Sequence, residues 1–116
     1  MGEQRRYRRV KLNASLSYQL EQALSDPHRH PGILTDINAG GFRFAGSHPI
    51  TPGTRLHAQL RLPNRPEPYR LNGEVVWLRP SHGVTEYGVA FVDVSPEQQA
   101  DIDELVQFLL KPLTPS

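Results

Sequence analysis

The stretch VKLNASLSYQL, residues 10–20, sets the strongest limit on what this chain can fold into. Val10, Leu12, Ala14, Leu16 and Tyr18 fall on one parity, with mostly polar side chains on the other. Period two belongs to a strand with one buried face, because successive side chains leave opposite sides of the pleat. The pattern returns along the chain. FRFAG (42–46) turns Phe42 and Phe44 inward and Arg43 outward, and RLHAQLRL (55–62) alternates Leu56, Ala58, Leu60 and Leu62. ILTDI (33–37) reads as a short strand, and YRLNGEVVWLR (69–79) and TEYGVAFVDV (85–94) as two further β-rich runs. Between them stand SDPHRHPG (25–32, read as a loop), NAGG (38–41), HPITPG (48–53) and PNRPEP (63–68), all rich in turn formers. The 11 prolines fall largely in these breaks, as expected of short elements joined by stiff loops.

The period then changes. SPEQ (95–98) offers Ser95 as N-cap, Pro96 at the first helical position and Gln98 at the reciprocal position of a capping box. Ile102, Leu105, Val106 and Leu109 follow the spacing of one apolar helical stripe, with Asp101, Asp103 and Glu104 solvating the outer face. Pro112 is expected to end it. The reading is a mainly β fold: about six antiparallel strands in an open barrel, with one amphipathic helix, about 96–110, laid on it. At 116 residues, one domain with one core is expected, residues 10–112, preceded by a flexible arm at 1–9.

Composition narrows the chemistry. With no cysteine, disulfides and thiolate metal sites are excluded. No apolar run approaches the roughly 18–20 residues that span a bilayer, and the basic N-terminus lacks the apolar stretch of a signal peptide. Arg6 stands where a myristoylation signal wants Ser or Thr, so the expected location is the cytoplasm. The five histidines lie mostly in loops; His28 and His30 lie two apart with no acid or third histidine at zinc spacing and read as solvated loop residues. No nucleophile elbow, phosphate loop or paired-carboxylate pattern is present, so neither an enzyme nor a bound metal is expected.

Charge is distributed unevenly. The net formal charge is only +1, yet Arg5, Arg6, Arg8, Arg9 and Lys11 crowd seven positions beside one nearby acid, Glu3. The acids Glu97, Asp101, Asp103 and Glu104 gather near the other end. This asymmetry argues for one local anion site or a solvated basic terminus, not for a basic surface throughout. Arginine suits an anion with planar edges, since its fork bonds two acceptors and its face stacks. A second stretch, TDINAGGFRF (35–44), holds Asp36, Asn38 and Gly41 in a D-x-N-x-x-G pattern between two strands. In isolation this is a glycine turn with an Asx cap, the glycines supplying positive φ. It also places a carboxylate able to accept from a guanine N1–H and N2–H₂.

R-x-x-x-R (Arg5, Arg9) about 30 residues ahead of D-x-N-x-x-G, within a barrel followed by one helix, resembles the PilZ domain family. GEVVWLR (73–79) and YGVAFVDVSPEQ (87–98) fit the same likeness, which covers roughly residues 3–110. The resemblance implies binding of cyclic di-GMP, a dianion with two guanine faces. Arg5 and Arg9 would fold over the nucleotide, Asp36 accept from a guanine edge, Asn38 hold the polar position and Gly41 let the backbone come close. Asn38 departs from the family's usual serine, and Arg8 from a frequent proline.

Arg6 and Arg8 are further candidates for phosphates or a second nucleotide, Arg43 for a place near the ligand, and Trp77 for base stacking or plain packing. Tyr7 would cover the site or anchor the arm. The resemblance implies no cofactor beyond this ligand, and an adaptor that orders its arm and signals through a protein partner. Two other classes stay open: a PilZ-like interaction module that does not use the nucleotide, and a small barrel binding single-stranded nucleic acid. The near-neutral total charge counts against the last, so neither DNA nor RNA is an expected partner.

Overall fold

The structure is a computed structural model and describes residues 10–23 and 28–110. Six strands appear in chain order: β1 (Val10–Leu20), β2 (His30–Asn38), β3 (Gly41–Gly46), β4 (Arg55–Leu60), β5 (Tyr69–Ser81) and β6 (Val84–Phe91). Among the described residues a single 3₁₀ turn, Glu21–Ala23, follows β1, and one helix, α1 (Pro96–Leu110), follows β6. Every pairing is antiparallel, in the order β1-β2-β3-β6-β5-β4, and β4 returns to β1. The barrel is therefore closed rather than open.

The inward rows fill its lumen. Tyr18, Leu34, Phe44, Leu60, Tyr69, Leu71 and Val75 are fully buried. Phe44 packs between Tyr18 and Tyr87, with ring centroids 5.1 and 5.2 Å away. The Tyr87 hydroxyl donates to the His48 carbonyl at 2.9 Å and accepts from the Ile50 amide at 3.2 Å, which fastens the β3–β4 connection to the barrel wall.

Two expectations about strand extent change. His30, Pro31 and Gly32, read as loop, belong to β2 and pair with Tyr18, Ser17 and Leu16. Pro31 is tolerated because β3 reaches only Ile33, so the missing N–H breaks no ladder on that side. At the other extreme, β4 stops at Leu60, and Leu62 packs against the core from outside the strand.

Three bulges matter more. The register slips by one residue between Lys11 and Ala14 in β1, between Leu34 and Asp36 in β2, and between Val75 and Trp77 in β5. In β2 and β5 the extra residue reverses which side of the sheet the following side chains face, whereas in β1 the even-numbered residues stay inward on both sides of the slip. Leu34 and Asp36 share a parity, so an unbroken β2 would drive a carboxylate into the apolar lumen. Thr35 absorbs the slip, and Asp36 emerges on the outer face while Ile37 takes the inner position. In β5, Val76 absorbs it: odd-numbered residues are buried up to Val75, after which Trp77 turns outward and is 36% exposed.

α1 starts as its sequence requires. The Ser95 Oγ accepts from the Gln98 amide at 3.1 Å, and the Ser95 carbonyl takes the Gln99 amide at 2.8 Å. Gln98 does not complete a capping box; its side chain is buried and donates to the Asn72 carbonyl of β5 at 3.0 Å. Ile102 and Leu105 are fully buried, with Val106 and Leu109 packed beside them. Nor are the acids merely solvating. Asp101 pairs with Arg65 at 3.1 Å and Glu104 with the same guanidinium at 3.3 Å, and Arg65 lies 3.8 Å over the Tyr69 ring. The helix thereby holds the proline-rich connection between β4 and β5. Pro112 lies outside the described residues.

Candidate functional site

The β2–β3 turn carries the D-x-N-x-x-G pattern. Asn38 and Gly41 close the ladder as a pair, and the Asn38 Oδ1 accepts from the amides of Gly40 at 2.8 Å and Gly41 at 3.1 Å. The expected Asx cap is present. The expected positive φ is not: neither Gly40 nor Gly41 has one. Gly41 is required for another reason, since a Cβ there would overlap the Val89 carbonyl of β6. The turn is also bound to the end of β6, where the Phe91 amide donates to the Gly40 carbonyl at 3.1 Å.

The bulges bring one lateral row to the outer face: Lys11 of β1, Asp36 of β2, Arg43 of β3, Gly88 of β6 and Trp77 of β5, each opposite the next. Asp36 is 2% exposed. Arg43 donates from Nε to its Oδ2 at 2.6 Å, and the Arg43 Nη2 pairs with the same oxygen. This bond holds the Arg43 guanidinium still more firmly protonated than usual, against a smaller opposing effect of burial, and the charges of Asp36 and Glu86 add to it. Gly88 leaves a hollow that the Trp77 indole fills, because a Cβ at Gly88 would overlap the ring. Trp77 thus packs and is also presented: its lower face rests on β6, and the rest of it borders the site.

Asn38, Gly40, Gly41, Arg43, Val76 and Trp77 surround a concavity of about 210 Å³, with Gly88 and its neighbours beneath. The structure therefore brings Asn38, Gly41, Arg43 and Trp77 together, with Asp36 behind Arg43. Arg5, Arg6, Tyr7, Arg8 and Arg9 lie outside the described residues. Their point of attachment is described: β1 begins at Val10, opposite Ile37, so the arginine segment joins the barrel one residue from the row.

The sequence reading missed Glu86 and Arg79, which oppose each other one row further along the same face. The available signal was W-x-R, since Trp77 and Arg79 share a face whichever way the strand turns. Three of the five histidines assemble elsewhere: His30 stacks on His48 at 3.9 Å, and His28 meets His30 edge-on at 5.0 Å. Among the described residues, no group of three or more His, Cys, Asp or Glu side chains is placed to hold a metal, and no helix is long and apolar enough to cross a membrane.

Comparison with known proteins agrees with this architecture. No curated protein matches the chain. Among solved structures, the PilZ domain of YcgR from Escherichia coli, determined with c-di-GMP, is similar at a TM-score of 0.73 and 15% identity, over 92% of both chains. YcgR from Escherichia coli in complex with c-di-GMP gives 0.70 and 15%, over 92% of this chain and 46% of that one. The PilZ domain of CeSA from a cellulose-synthesizing bacterium gives 0.68 and 17%, over 90% and 99%. At these identities the likeness is one of fold. The PilZ domain model, in contrast, matches the sequence over residues 3–108, nearly the whole length. The chain belongs to the PilZ domain family.

Proposed function

We propose that this protein is a cyclic di-GMP receptor rather than an enzyme. In this reading Arg5 and Arg9 close over the nucleotide, Asp36 and Asn38 meet a guanine edge, and Gly41 keeps the turn low. Arg43 and Trp77 line the wall, and Arg6 and Arg8 stand near the phosphates. The observation that carries the reading is the outer-face row, which sets a carboxylate, a guanidinium and an exposed indole side by side where the arginine segment joins. Charge-assisted and bidentate bonds to a dianionic ligand are among the stronger available, and a planar base gains further from stacking. The relatives solved with c-di-GMP support the same ligand. Bound nucleotide neutralises the repulsion among the arginines and orders residues 1–9. The new surface is then read by a protein partner in the cytoplasm.

Isothermal titration calorimetry with cyclic di-GMP tests this, with GTP as competitor control and Arg9→Ala beside the native chain. Saturable binding that disappears in Arg9→Ala is the expected result. One observation favours a second reading, an interaction module that does not use nucleotide: Asp36 is already held by Arg43. Absence of heat from the folded native protein would leave that reading standing.

A further inference from the structure

A cavity of about 210 Å³ is too small for a whole cyclic dinucleotide, since pockets for ligands of drug size run roughly 300–1,000 Å³. In the receptor reading the floor beside Asn38 and Gly41 takes one base, and the remainder lies across neighbouring surface. Past Trp77 that surface is the outer face of the β5–β6 hairpin. The row next to Arg43–Gly88–Trp77 is Ala45–Glu86–Arg79. Arg79 is the most exposed cation there, 65% by its side chain, and its guanidinium lies 5.8 Å from the centre of the Trp77 ring. It is paired with Glu86, which is 23% exposed. The Glu86 charge also reaches Arg43, so one carboxylate stands between two guanidinium groups.

We infer that Arg79 is a further phosphate-binding residue of this site and that Glu86 opposes it, setting the affinity for the anion. The inference rests on the cyclic dinucleotide reading above. A phosphodiester over Trp77 meets Arg79 at the outer edge of the indole. An exposed ion pair contributes little by itself, so Arg79 exchanges Glu86 for phosphate, or shares the two, at small cost. Glu86 cannot leave the strand, and its charge then faces the incoming anion in partly screened solvent.

The two side chains therefore act in opposite directions on ligand and in the same direction on the fold. Were the pair only a cross-strand brace, Arg79→Ala and Glu86→Gln would each lower the thermal midpoint slightly and leave affinity alone. As ligand elements, Arg79→Ala is expected to weaken cyclic di-GMP binding about 3–10-fold and Glu86→Gln to tighten it by a similar factor. Arg79→Lys keeps most of the affinity, since the charge is retained.

Calorimetry at two salt concentrations on the full chain, with melting curves for each variant, decides the matter. Opposite shifts in Kd, both shrinking at higher salt, are the expected result. If the native protein binds, Arg9→Ala abolishes binding, and both hairpin variants keep Kd within about twofold, the inference is overturned and the receptor reading stands. A shift of both variants in the same direction also overturns it. No binding by the native chain overturns both.

Discussion

Replacing Gly88 by alanine tests the geometry of the site without touching a charge. A Cβ at this position would overlap the Trp77 indole, so the ring must move off β6. Trp77 is 36% exposed and so covers about two thirds of its surface. For an aromatic of this size that is about 160 Å², and at ~25 cal/mol per Å² complete expulsion would cost about 4 kcal/mol. One methyl group forces partial displacement, roughly 1–2 kcal/mol on the same scale. Alanine also removes the backbone freedom of glycine in a strand, worth about 0.5–1 kcal/mol in the opposite sense. The net expectation is a loss of about 1 kcal/mol, read from urea unfolding followed by circular dichroism. Because Trp77 is the only tryptophan, its emission reports the displacement directly and should shift to longer wavelength. In a Trp77→Ala background the same substitution is expected to become neutral or stabilising, since the overlapping atoms are gone. A Gly88→Ala protein of native or higher stability with unchanged emission would show that the indole does not rest on Gly88, and the stacking wall would lose its basis.

Two further outcomes follow from the core and the helix. Burial, with the charge of Tyr87 adding, pushes the Tyr18 hydroxyl up to about 12 from its ordinary 10.0. The folded state keeps this proton longer than the unfolded chain, so the stabilisation is complete below pH 10 and lost as pH rises towards 12. The loss is on the order of 1–3 kcal/mol in alkaline unfolding curves. Tyr18→Phe is expected to remove that limb at little cost near pH 7, since the hydroxyl has no hydrogen-bond partner among the described residues. A Tyr18→Phe protein that keeps the full alkaline loss would refute the assignment. Ser95→Ala removes the acceptor for the Gln98 amide and is expected to cost about 1 kcal/mol in thermal unfolding; no change would mean that water replaces the cap.

Much of this architecture was legible because period two and period 3.6 are properties of side-chain direction, not of context. The alternation from Val10 to Tyr18 names the face that lines the barrel, and the stripe from Ile102 to Leu109 names the face that covers it. The Asx turn at Asn38 was legible for a similar reason, since its bonds are local. What the sequence does not carry is the position of the bulges. By strict alternation Trp77 shares the buried side with Val75, and Asp36 shares it with Leu34. Nothing in the residues Thr35 or Val76 marks either as the supernumerary one. The slip is decided by closure, which makes six strands meet in one register around a filled lumen. The Asp36–Arg43 pair and the exposed indole both depend on it. The role of Gln98 escaped for the same reason, since its partner is a carbonyl 26 residues earlier in the chain.

The skew of the barrel has a consequence for solubility. β4 accompanies β5 only from Tyr69 to Glu74, and the link continues to Val75 through Gly53 and Thr54. Beyond it, among the described residues, Val76–Ser81 pairs with β6 on one side alone, a row of backbone groups that a second chain could extend. The two-residue turn at His82–Gly83 makes Ser81 and Val84 the bonded pair at the tip, so the Pro80–Thr85 pair behind it is of the non-bonded kind. Pro80 therefore turns its ring nitrogen toward the open side, where it has no hydrogen to donate. Arg79, its neighbour, adds a charge. Together they interrupt the one stretch of this hairpin where strand-to-strand aggregation would begin, beside the Val76–Leu78 segment, whose side chains are too apolar to discourage it themselves.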